Sequence, residues 1–272
     1  MRGMFSTGVT DVLMENGIEF DGAVGVSAGA AFGCNYKSKQ IGRVIRYNTK
    51  YIKDKRYCGL RILIKTGNIF STEFCYGEIP MLYDVFDFET YKNNPMEFHI
   101  VATDIETGKP VYHKYEGNEE SGLDWIRASA SIPLLSQIVE IDGQKLLDGG
   151  IADSIPVKYF ESIGYTKNLA VLTRPNGYRK QKNSALPLIK LKYRDYPNFV
   201  EAMANRHIMY NETLDYIAER QKSGNLFVIC PEADLQIGHI EKNPEKLKEV
   251  YEVGRKTAEK NLEQVKAFLE CD

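Results

Sequence analysis

The stretch AVGVSAGA at residues 23–30 decides the fold, because it places a serine between two glycines directly after an apolar run. Such a run predicts a β-strand, and the small residues behind the serine predict a helix. Gly25, Ala28 and Gly29 would let strand and helix approach closely and lift the Ser27 hydroxyl above the sheet, as a nucleophile requires. The alternative is a tight turn in which Ser27 caps the helix, and G-x-S-x-G also arises by chance in a chain with 22 glycines.

Helices and strands are predicted to alternate along the whole sequence. Asp142-Gly143, between two apolar segments, is a strong hairpin signal. Predicted helices cover residues 5–14, 28–35, 39–53, 125–131 and 198–221, with a last helix from Pro244 onward. Predicted strands cover residues 20–26, 98–104, 111–112, 138–141, 144–147, 169–172 and 226–230. This alternation predicts an α/β fold with three layers, α/β/α, around a mostly parallel central sheet.

The composition is that of an ordinary globular protein, with 272 residues of which 43% are hydrophobic and 26% charged. A net charge of −2 gives no reason to expect nucleic-acid binding. Five cysteines without a C-x-x-C spacing indicate neither a disulfide framework nor a zinc site, and four histidines form no H-E-x-x-H pattern. We therefore expect no metal and no cofactor. Scattered cysteines of odd number favour a reducing, cytoplasmic location. No apolar run reaches the roughly 20 residues that span a bilayer, so we expect a protein that is not integral to a membrane.

The segment 37–65 carries the largest charge asymmetry of the sequence, with ten Lys or Arg residues and a single acid, Asp54. Within it, the predicted helix places its apolar residues on one face and its cations on the other, namely Lys39, Arg43, Arg46, Lys50 and Lys53. One interpretation is a solvated helix face. The other is peripheral contact with an anionic membrane surface, to which each basic residue contributes about 1 kcal/mol.

Asp148 is the candidate partner of Ser27, because a serine hydroxyl is a poor nucleophile until a base takes its proton. It ends the second strand of the predicted hairpin, and Gly149-Gly150 removes two side chains that would limit access to it. The preceding leucines predict partial burial, which would raise the pKa of the Asp148 carboxyl. On its own, without Ser27, Asp-Gly-Gly favours a simple turn.

Four motifs in a fixed order extend this argument over most of the chain: GVSAG at 25–29, ATD at 102–104 with TG at 107–108, RASASIP at 127–133, and DGGIADSIPV at 148–157. Together they resemble bacterial patatin-like phospholipases. The resemblance implies a patatin-like fold in which Ser27 is the nucleophile and Asp148 the base of a catalytic dyad without a histidine. It also implies hydrolysis of lipid acyl esters through an acyl-enzyme.

The resemblance further suggests a division of the chain. Residues 1–175 would form the patatin-like catalytic domain, and residues 176–272 a C-terminal extension of helices and a strand packed on the same domain. Members of the family place a first strand and a G-G-G-x-R-G turn ahead of the opening helix, and Met1-Arg2-Gly3 matches only the end of that turn. We therefore expect the sequence to be N-terminally truncated, which would expose an apolar sheet edge. The positions associated with the family motifs and the oxyanion site are Arg2, Gly3, Gly25, Gly29, Gly149 and Gly150.

Three other functions are compatible with parts of the pattern. An acyltransferase would use the same acyl-enzyme with a different acceptor. A catalytically impaired lipid-binding protein would keep Ser27 and Asp148 without the glycine-rich oxyanion turn. An ordinary α/β-hydrolase would need a histidine late in the chain, where only His239 is available and no motif supports it.

Overall fold

A computed structural model describes residues 1–117, 119–238 and 240–270 of the chain. Its helices are α1 (Gly3–Glu15), α2 (Ala28–Lys37), α3 (Arg43–Tyr51), α4 (Leu60–Thr66), α5 (Phe88–Asn93), α6 (Glu119–Ser129), α7 (Val157–Ser162), α8 (Leu186–Lys192), α9 (Pro197–Lys222) and α10 (Pro244–Glu270). Its strands are β1 (Gly22–Val26), β2 (Glu97–Asp104), β3 (Pro110–Lys114), β4 (Val139–Ile141), β5 (Gln144–Asp148), β6 (Asn168–Val171) and β7 (Leu226–Ile229). A π-helix spans Glu73–Tyr83, and a short 3₁₀ helix spans Gly149–Ile151.

Strand β2 is the centre of a five-stranded sheet. It pairs in parallel with β1 and antiparallel with β3 and β5, and β4 extends the sheet as the hairpin partner of β5. Strands β6 and β7 form a separate parallel pair. Parallel pairing, as predicted, joins the strands that helices connect, β1 with β2 and β6 with β7. The hairpins β2–β3 and β4–β5 make the central sheet mixed, because a hairpin pairs its two strands in opposite directions.

Helices cover both faces of this sheet, which confirms the α/β class and the layered arrangement. Neighbouring residues of β5 show the two faces, because successive side chains of a strand point to opposite sides. Leu146 packs in a cluster with residues of α2 and α6, including Trp125. Leu147 packs in another cluster with Phe199 and Met203 of α9.

The largest core cluster joins the first helix to the last. Buried residues of α1 and α10 meet there, and the two helices contact each other backbone to backbone at two glycines. A Cβ at Gly8 would lie 2.1 Å from the Tyr251 carbonyl oxygen, and a Cβ at Gly254 would lie 2.1 Å from the Phe5 carbonyl oxygen. The two ends of the chain are therefore packed together.

The basic segment 37–65 differs from its prediction in two respects. Its helix begins only at Arg43, because Lys39 (φ 52°) and Gly42 (φ 70°) have left-handed backbone conformations that interrupt a helix. The prediction that Arg43 and Arg46 face solvent together is also wrong. Arg43 is buried and donates to the Asp84 carbonyl oxygen, and Arg46 forms a bidentate pair with the Asp84 carboxylate at 2.8 Å.

Across the described parts of the chain, no helix is both long enough and apolar enough to cross a membrane.

Candidate active site

Strand register places Ser27 next to Asp148 although 121 residues separate them. Val26, the last residue of β1, pairs with Val101 of β2, and Asp148, the last residue of β5, pairs with Ala102 of β2. Because β3 occupies the other edge of β2 over residues 99–103, β1 and β5 lie end to end along one edge. Both strands therefore point their carboxyl ends at the same place.

Ser27 occupies the sharp turn between β1 and α2. Its backbone has φ 56° and ψ −119°, a combination that residues other than glycine rarely adopt and that costs about 1–3 kcal/mol. Gly25 is required for the turn, since a Cβ there would lie 2.5 Å from the Gly29 carbonyl oxygen. The expectation that Gly29 also serves close packing is wrong, because nothing lies within 4 Å of a Cβ at this position, which faces open space.

The Ser27 hydroxyl donates a hydrogen bond of 2.6 Å to Oδ2 of Asp148. The other carboxylate oxygen, Oδ1, accepts from the backbone N–H of Gly150 at 2.8 Å. Both backbone groups of Asp148 are also bonded, its N–H to the Ser131 carbonyl oxygen and its carbonyl oxygen to the Thr103 hydroxyl. These four bonds fix the carboxylate in one orientation toward Ser27.

The environment of Asp148 makes its carboxyl a better base than an exposed aspartate. Asp148 is buried, and this burial raises the pKa of its carboxyl above the ordinary value of 3.8. The positive charge of Arg206, the hydrogen bond from Ser27 and the N–H of Gly150 act in the opposite direction without cancelling the increase. A carboxylate with a raised pKa accepts a proton more readily, as general-base catalysis requires.

The two glycines after Asp148 allow two close approaches. A Cβ at Gly149 would lie 2.0 Å from the Val101 carbonyl oxygen, so this residue packs directly on β2. A Cβ at Gly150 would lie 3.0 Å from a guanidinium nitrogen of Arg206 and 3.1 Å from the Asp148 carboxylate. Gly150 therefore lets the guanidinium of Arg206 stand beside the candidate base.

The beginning of α1 borders Ser27. A Cβ at Gly3 would lie 3.0 Å from the Ala28 Cβ and 2.8 Å from the Phe32 ring, so α1 starts against the first turn of α2. In the described part of the chain, no acceptor meets the backbone N–H of Arg2 or Gly3, or those of Ala28 and Gly29. Two helix N-termini thus present free donors near the serine.

Ser27 opens into a cavity of about 190 Å³ with a largely apolar lining. One wall comes from α2, one from the π-helix and one from α6 and the turn behind it. The apolar residues that line it include Ala31, Phe32, Tyr47, Phe70, Ile79, Pro80, Phe86, Ile126, Ala130 and Ile132. A cavity of this chemistry is suited to a hydrocarbon chain whose reacting end lies at Ser27.

Three residues of the site carried no assignment in the sequence. Ser129 accepts a 2.8 Å hydrogen bond from the Ser27 N–H, and Thr103 holds both the Asp148 carbonyl oxygen and the Ala152 N–H. Both lie within motifs that carry the family resemblance, so a signal for them was present. Arg206 lies in α9, outside every motif, and only the fold brings it to Asp148.

Among the described histidines, none touches Ser27 or Asp148. His99 bonds Tyr159 and Glu97, His113 stacks on Trp125, and His207 bonds within its own helix. His239, the histidine that an ordinary α/β-hydrolase would need, lies outside the described residues.

The match to a known family covers the part of the chain that builds this site. Residues 1–161 match the patatin-like phospholipase family, and the chain belongs to that family. Residues 196–270, which contain α9, β7 and α10, match a second family, a domain of unknown function designated DUF6363. The prediction of a domain boundary after residue 175 stays a prediction.

Curated relatives share this similarity at moderate identity. The uncharacterized protein YjjU of Escherichia coli (strain K12) is 29% identical over 236 residues, which are 74% of this chain and 62% of that protein. The uncharacterized NTE family protein Rv1063c of Mycobacterium tuberculosis is 28% identical over 62% of this chain and 45% of its own length. The lysophospholipase nte1 of Aspergillus fumigatus is 26% identical over 60% of this chain and 10% of its own length. The chain thus spans less than two thirds of each of these relatives.

Proposed function

We propose that this protein hydrolyses fatty-acyl esters of lipids, with Ser27 as nucleophile and Asp148 as base. The observation that carries the proposal is the 2.6 Å hydrogen bond between the Ser27 hydroxyl and a buried carboxylate, at a strained turn between strand and helix. Membership of the patatin-like phospholipase family supports the class of substrate. The name lysophospholipase, borne by the fungal relative, agrees with it.

The reaction has two steps. In the first, Asp148 takes the proton of Ser27 while the serine oxygen attacks the ester carbonyl carbon, and the departing alcohol receives that proton. In the second, Asp148 takes a proton from water, whose oxygen attacks the acyl-enzyme, and the proton returns to Ser27 as the fatty acid leaves. Atoms balance over the cycle, since one ester and one water give one alcohol and one acid.

The negative charge on the carbonyl oxygen requires preorganised donors, and the loss of one such donor in other hydrolases costs roughly 10²–10³ in rate. We assign this role to the free backbone N–H groups of Gly3 at the start of α1 and of Gly29 in the first turn of α2. Each lies at a helix N-terminus, where the helix dipole also favours negative charge. The apolar cavity beside Ser27 would hold the acyl chain.

The dyad is tested with Ser27→Ala and Asp148→Asn. Each change should lower hydrolysis of p-nitrophenyl butyrate by about 10²–10⁴ and remove labelling by a fluorophosphonate probe, because nucleophile and base act as a unit. Asp195→Asn, at an exposed aspartate (80% side-chain exposure), is the matched control and should behave like the wild type. Near-normal turnover of either dyad variant, with folding checked by circular dichroism, would refute the assignment. Absence of labelling in the wild type would instead favour a lipid-binding protein without catalysis.

We further propose that helix α4 contacts the membrane that supplies the substrate. Two apolar residues of this helix are strongly exposed, Leu60 (67%) and Ile64 (78%), and the cations Arg61 and Lys65 follow each of them at once. The chain that leaves α4 continues into the cavity wall at Phe70. An exposed surface of this composition suits the interface of an anionic bilayer.

Sedimentation with vesicles tests this contact. Leu60→Ser combined with Ile64→Ser should lower binding to vesicles of phosphatidylcholine and phosphatidylglycerol severalfold, since two apolar side chains no longer enter the interface. Leu188→Ser, at an equally exposed leucine (61%) of α8, should leave binding unchanged. If the α4 double variant and Leu188→Ser lost vesicle binding to the same extent, α4 would have no special role in membrane contact.

A further inference from the structure

Four cations from distant parts of the chain form what we term the cationic cluster: Arg2, Arg174, Lys180 and Arg206. Arg2 precedes α1, Arg174 and Lys180 lie in the loop after β6, and Arg206 lies in the middle of α9. All four are half-buried rather than extended into solvent. Their convergence is unusual, because like charges repel and partial burial weakens the screening of that repulsion by water.

Contacts with fixed groups hold the cluster beside Asp148. Arg206 donates to the Gly150 carbonyl oxygen, two residues beyond the candidate base. The backbone N–H of Lys180 donates to Oδ1 of Asn211 on α9 at 2.8 Å, and Nδ2 of Asn211 donates to the Lys180 carbonyl oxygen at 3.1 Å. These contacts set the position of Lys180 one and a half turns along α9 from Arg206.

Two aromatic rings make cation–π contacts with two members of the cluster, Arg174 and Lys180. The Arg174 guanidinium lies 4.6 Å from the centre of the Tyr178 ring, and the Lys180 ammonium lies 5.2 Å from the centre of the Tyr210 ring. The two rings pack edge to face, with their centres 6.0 Å apart. Arg174 and Lys180 are thus held in place by cation–π contacts, which do not neutralise their charge.

Protein acids do not balance this charge. Arg174 forms an ion pair with Asp234 at 2.6 Å, and the negative charge of Asp148 acts on Lys180. Within the described residues, the side chains of Arg2 and Lys180 make no hydrogen bond and no ion pair. Burial, followed by the charges of Arg206, Arg2 and Arg174, lowers the pKa of Lys180 to about 8. An anion placed among these groups would relieve that repulsion.

We propose that the cationic cluster binds the phosphate group of the lipid substrate, while the acyl chain occupies the apolar cavity and the ester lies between them at Ser27. This assignment rests on the proposed hydrolase function and adds the headgroup class that the site selects. Guanidinium and ammonium groups bind phosphate through charge-assisted hydrogen bonds, and none of the four cations lines the cavity. The acyl chain of a glycerophosphate ester would therefore bind in the apolar cavity, and its phosphate would bind to the cationic cluster.

Two lipids that differ only in phosphate test the proposal. The measured quantity is kcat/KM for 1-oleoyl lysophosphatidic acid divided by kcat/KM for 1-oleoylglycerol, both in mixed micelles. Lys180→Met should lower this ratio by about tenfold or more, since a charge-assisted contact to phosphate is lost. Lys182→Met, at an exposed lysine of the same loop, is the matched control and should keep the ratio of the wild type. An unchanged ratio in Lys180→Met overturns the proposal.

A binding measurement separates this proposal from the hydrolase assignment. Glycerol 3-phosphate should bind the wild type in calorimetric titration and bind Lys180→Met at least fivefold more weakly. Lys180→Arg, which keeps the charge, should restore the affinity of the wild type. Binding that follows this order in a protein without turnover of either lipid would support the cluster and refute the hydrolase. If the protein hydrolyses the lipids but its affinity for glycerol 3-phosphate is the same with and without the Lys180 charge, the hydrolase assignment would stand and the phosphate-binding role of the cluster would be refuted. Inorganic phosphate bound more tightly than glycerol 3-phosphate would assign the cluster to free phosphate and overturn the headgroup assignment.

Discussion

Ser27 has a backbone conformation that a serine adopts only when its surroundings impose it. With φ 56°, the residue cannot continue β1, and α2 begins at the next position. The strain is offset by a hydrogen bond from its N–H to Ser129 and by one from its hydroxyl to Asp148. The groups that stabilise the turn are therefore also those that position Ser27, the proposed nucleophile.

Arg206 acts on the proposed base, Asp148, through its positive charge. Its charge lowers the pKa of the Asp148 carboxyl, whereas burial raises it by more. In the proposed mechanism the carboxylate is the active form, so activity should be lost as the pH falls through a pKa that lies above 3.8. Arg206→Gln removes the opposing charge, and the pKa of Asp148 should rise further.

The pH profile of kcat/KM on p-nitrophenyl butyrate measures this effect. Because this ester has no phosphate, its binding does not report on the cationic cluster. The acid limb of Arg206→Gln should lie at higher pH than that of the wild type. Arg194→Gln, at a strongly exposed arginine (76%), should leave the limb in place. A limb that stays fixed or moves to lower pH in Arg206→Gln would contradict the electrostatic role of Arg206.

At the scale of elements, the π-helix Glu73–Tyr83 and helix α2 form two walls of the cavity that is proposed to hold the acyl chain. The π-helix supplies Ile79 and Pro80 to one wall, and α2 supplies Ala28 and Ala31 to another. Ala31 lies one turn beyond Ser27 on the same face of α2, so its small side chain leaves room for carbons next to the reacting ester. Chain-length preference should therefore depend on this position.

Ala31→Leu should shorten the acyl chain that the cavity accepts. We expect the ratio of kcat/KM for p-nitrophenyl laurate to that for the butyrate to fall by about tenfold, because the added carbons occupy the space of the distal methylenes. Ala267→Leu, at an exposed alanine of α10, should keep the ratio of the wild type. If Ala31→Leu lowered both rates equally, the cavity would not be the site of the acyl chain.

The elements that the sequence predicted are those with one clear apolar period. Residues 5–14 and 98–104 fall within the observed α1 and β2, and the hairpin around Asp142-Gly143 matches β4–β5 to within one residue at either end. Helices α4, α5, α7 and α8 were not predicted, because six or seven residues are too few for a helical period to stand out. The π-helix was not predicted either, since its wider spacing and Pro80 hide the usual signal.

At the scale of the molecule, the candidate site is built from both ends of the chain. Ser27 and Asp148 could be paired from motifs in family order, while the end-to-end arrangement of β1 and β5 that joins them depends on strand register. The proximity of Arg206 and Lys180 to Asp148 could not be predicted from the sequence, because no local pattern indicates which loop or helix packs beside which strand. Long-range packing alone brings these cations to Asp148.

Packing of α10 against α1 is the long-range contact with the clearest consequence for the site. Tyr251 of α10 donates a 2.8 Å hydrogen bond to the buried carboxylate of Asp11 in α1, and Arg255 pairs with Glu15 at 2.7 Å. Between them, Gly254 brings the two backbones into contact. Because α1 begins against Ser27's helix, a shift of α10 should displace the proposed oxyanion donor at Gly3.

Gly254→Ala should therefore affect stability and chemistry together. Overpacking at such a contact costs about 1–3 kcal/mol, which corresponds to a decrease in Tm of about 2–10 °C in a chain of this size. Well below its Tm, the variant should also react more slowly with a fluorophosphonate probe. Gly77→Ala, where no atom lies within 4 Å of the added Cβ, should change neither quantity. A lower Tm with an unchanged labelling rate would mean that α10 stabilises α1 without setting the geometry around Ser27.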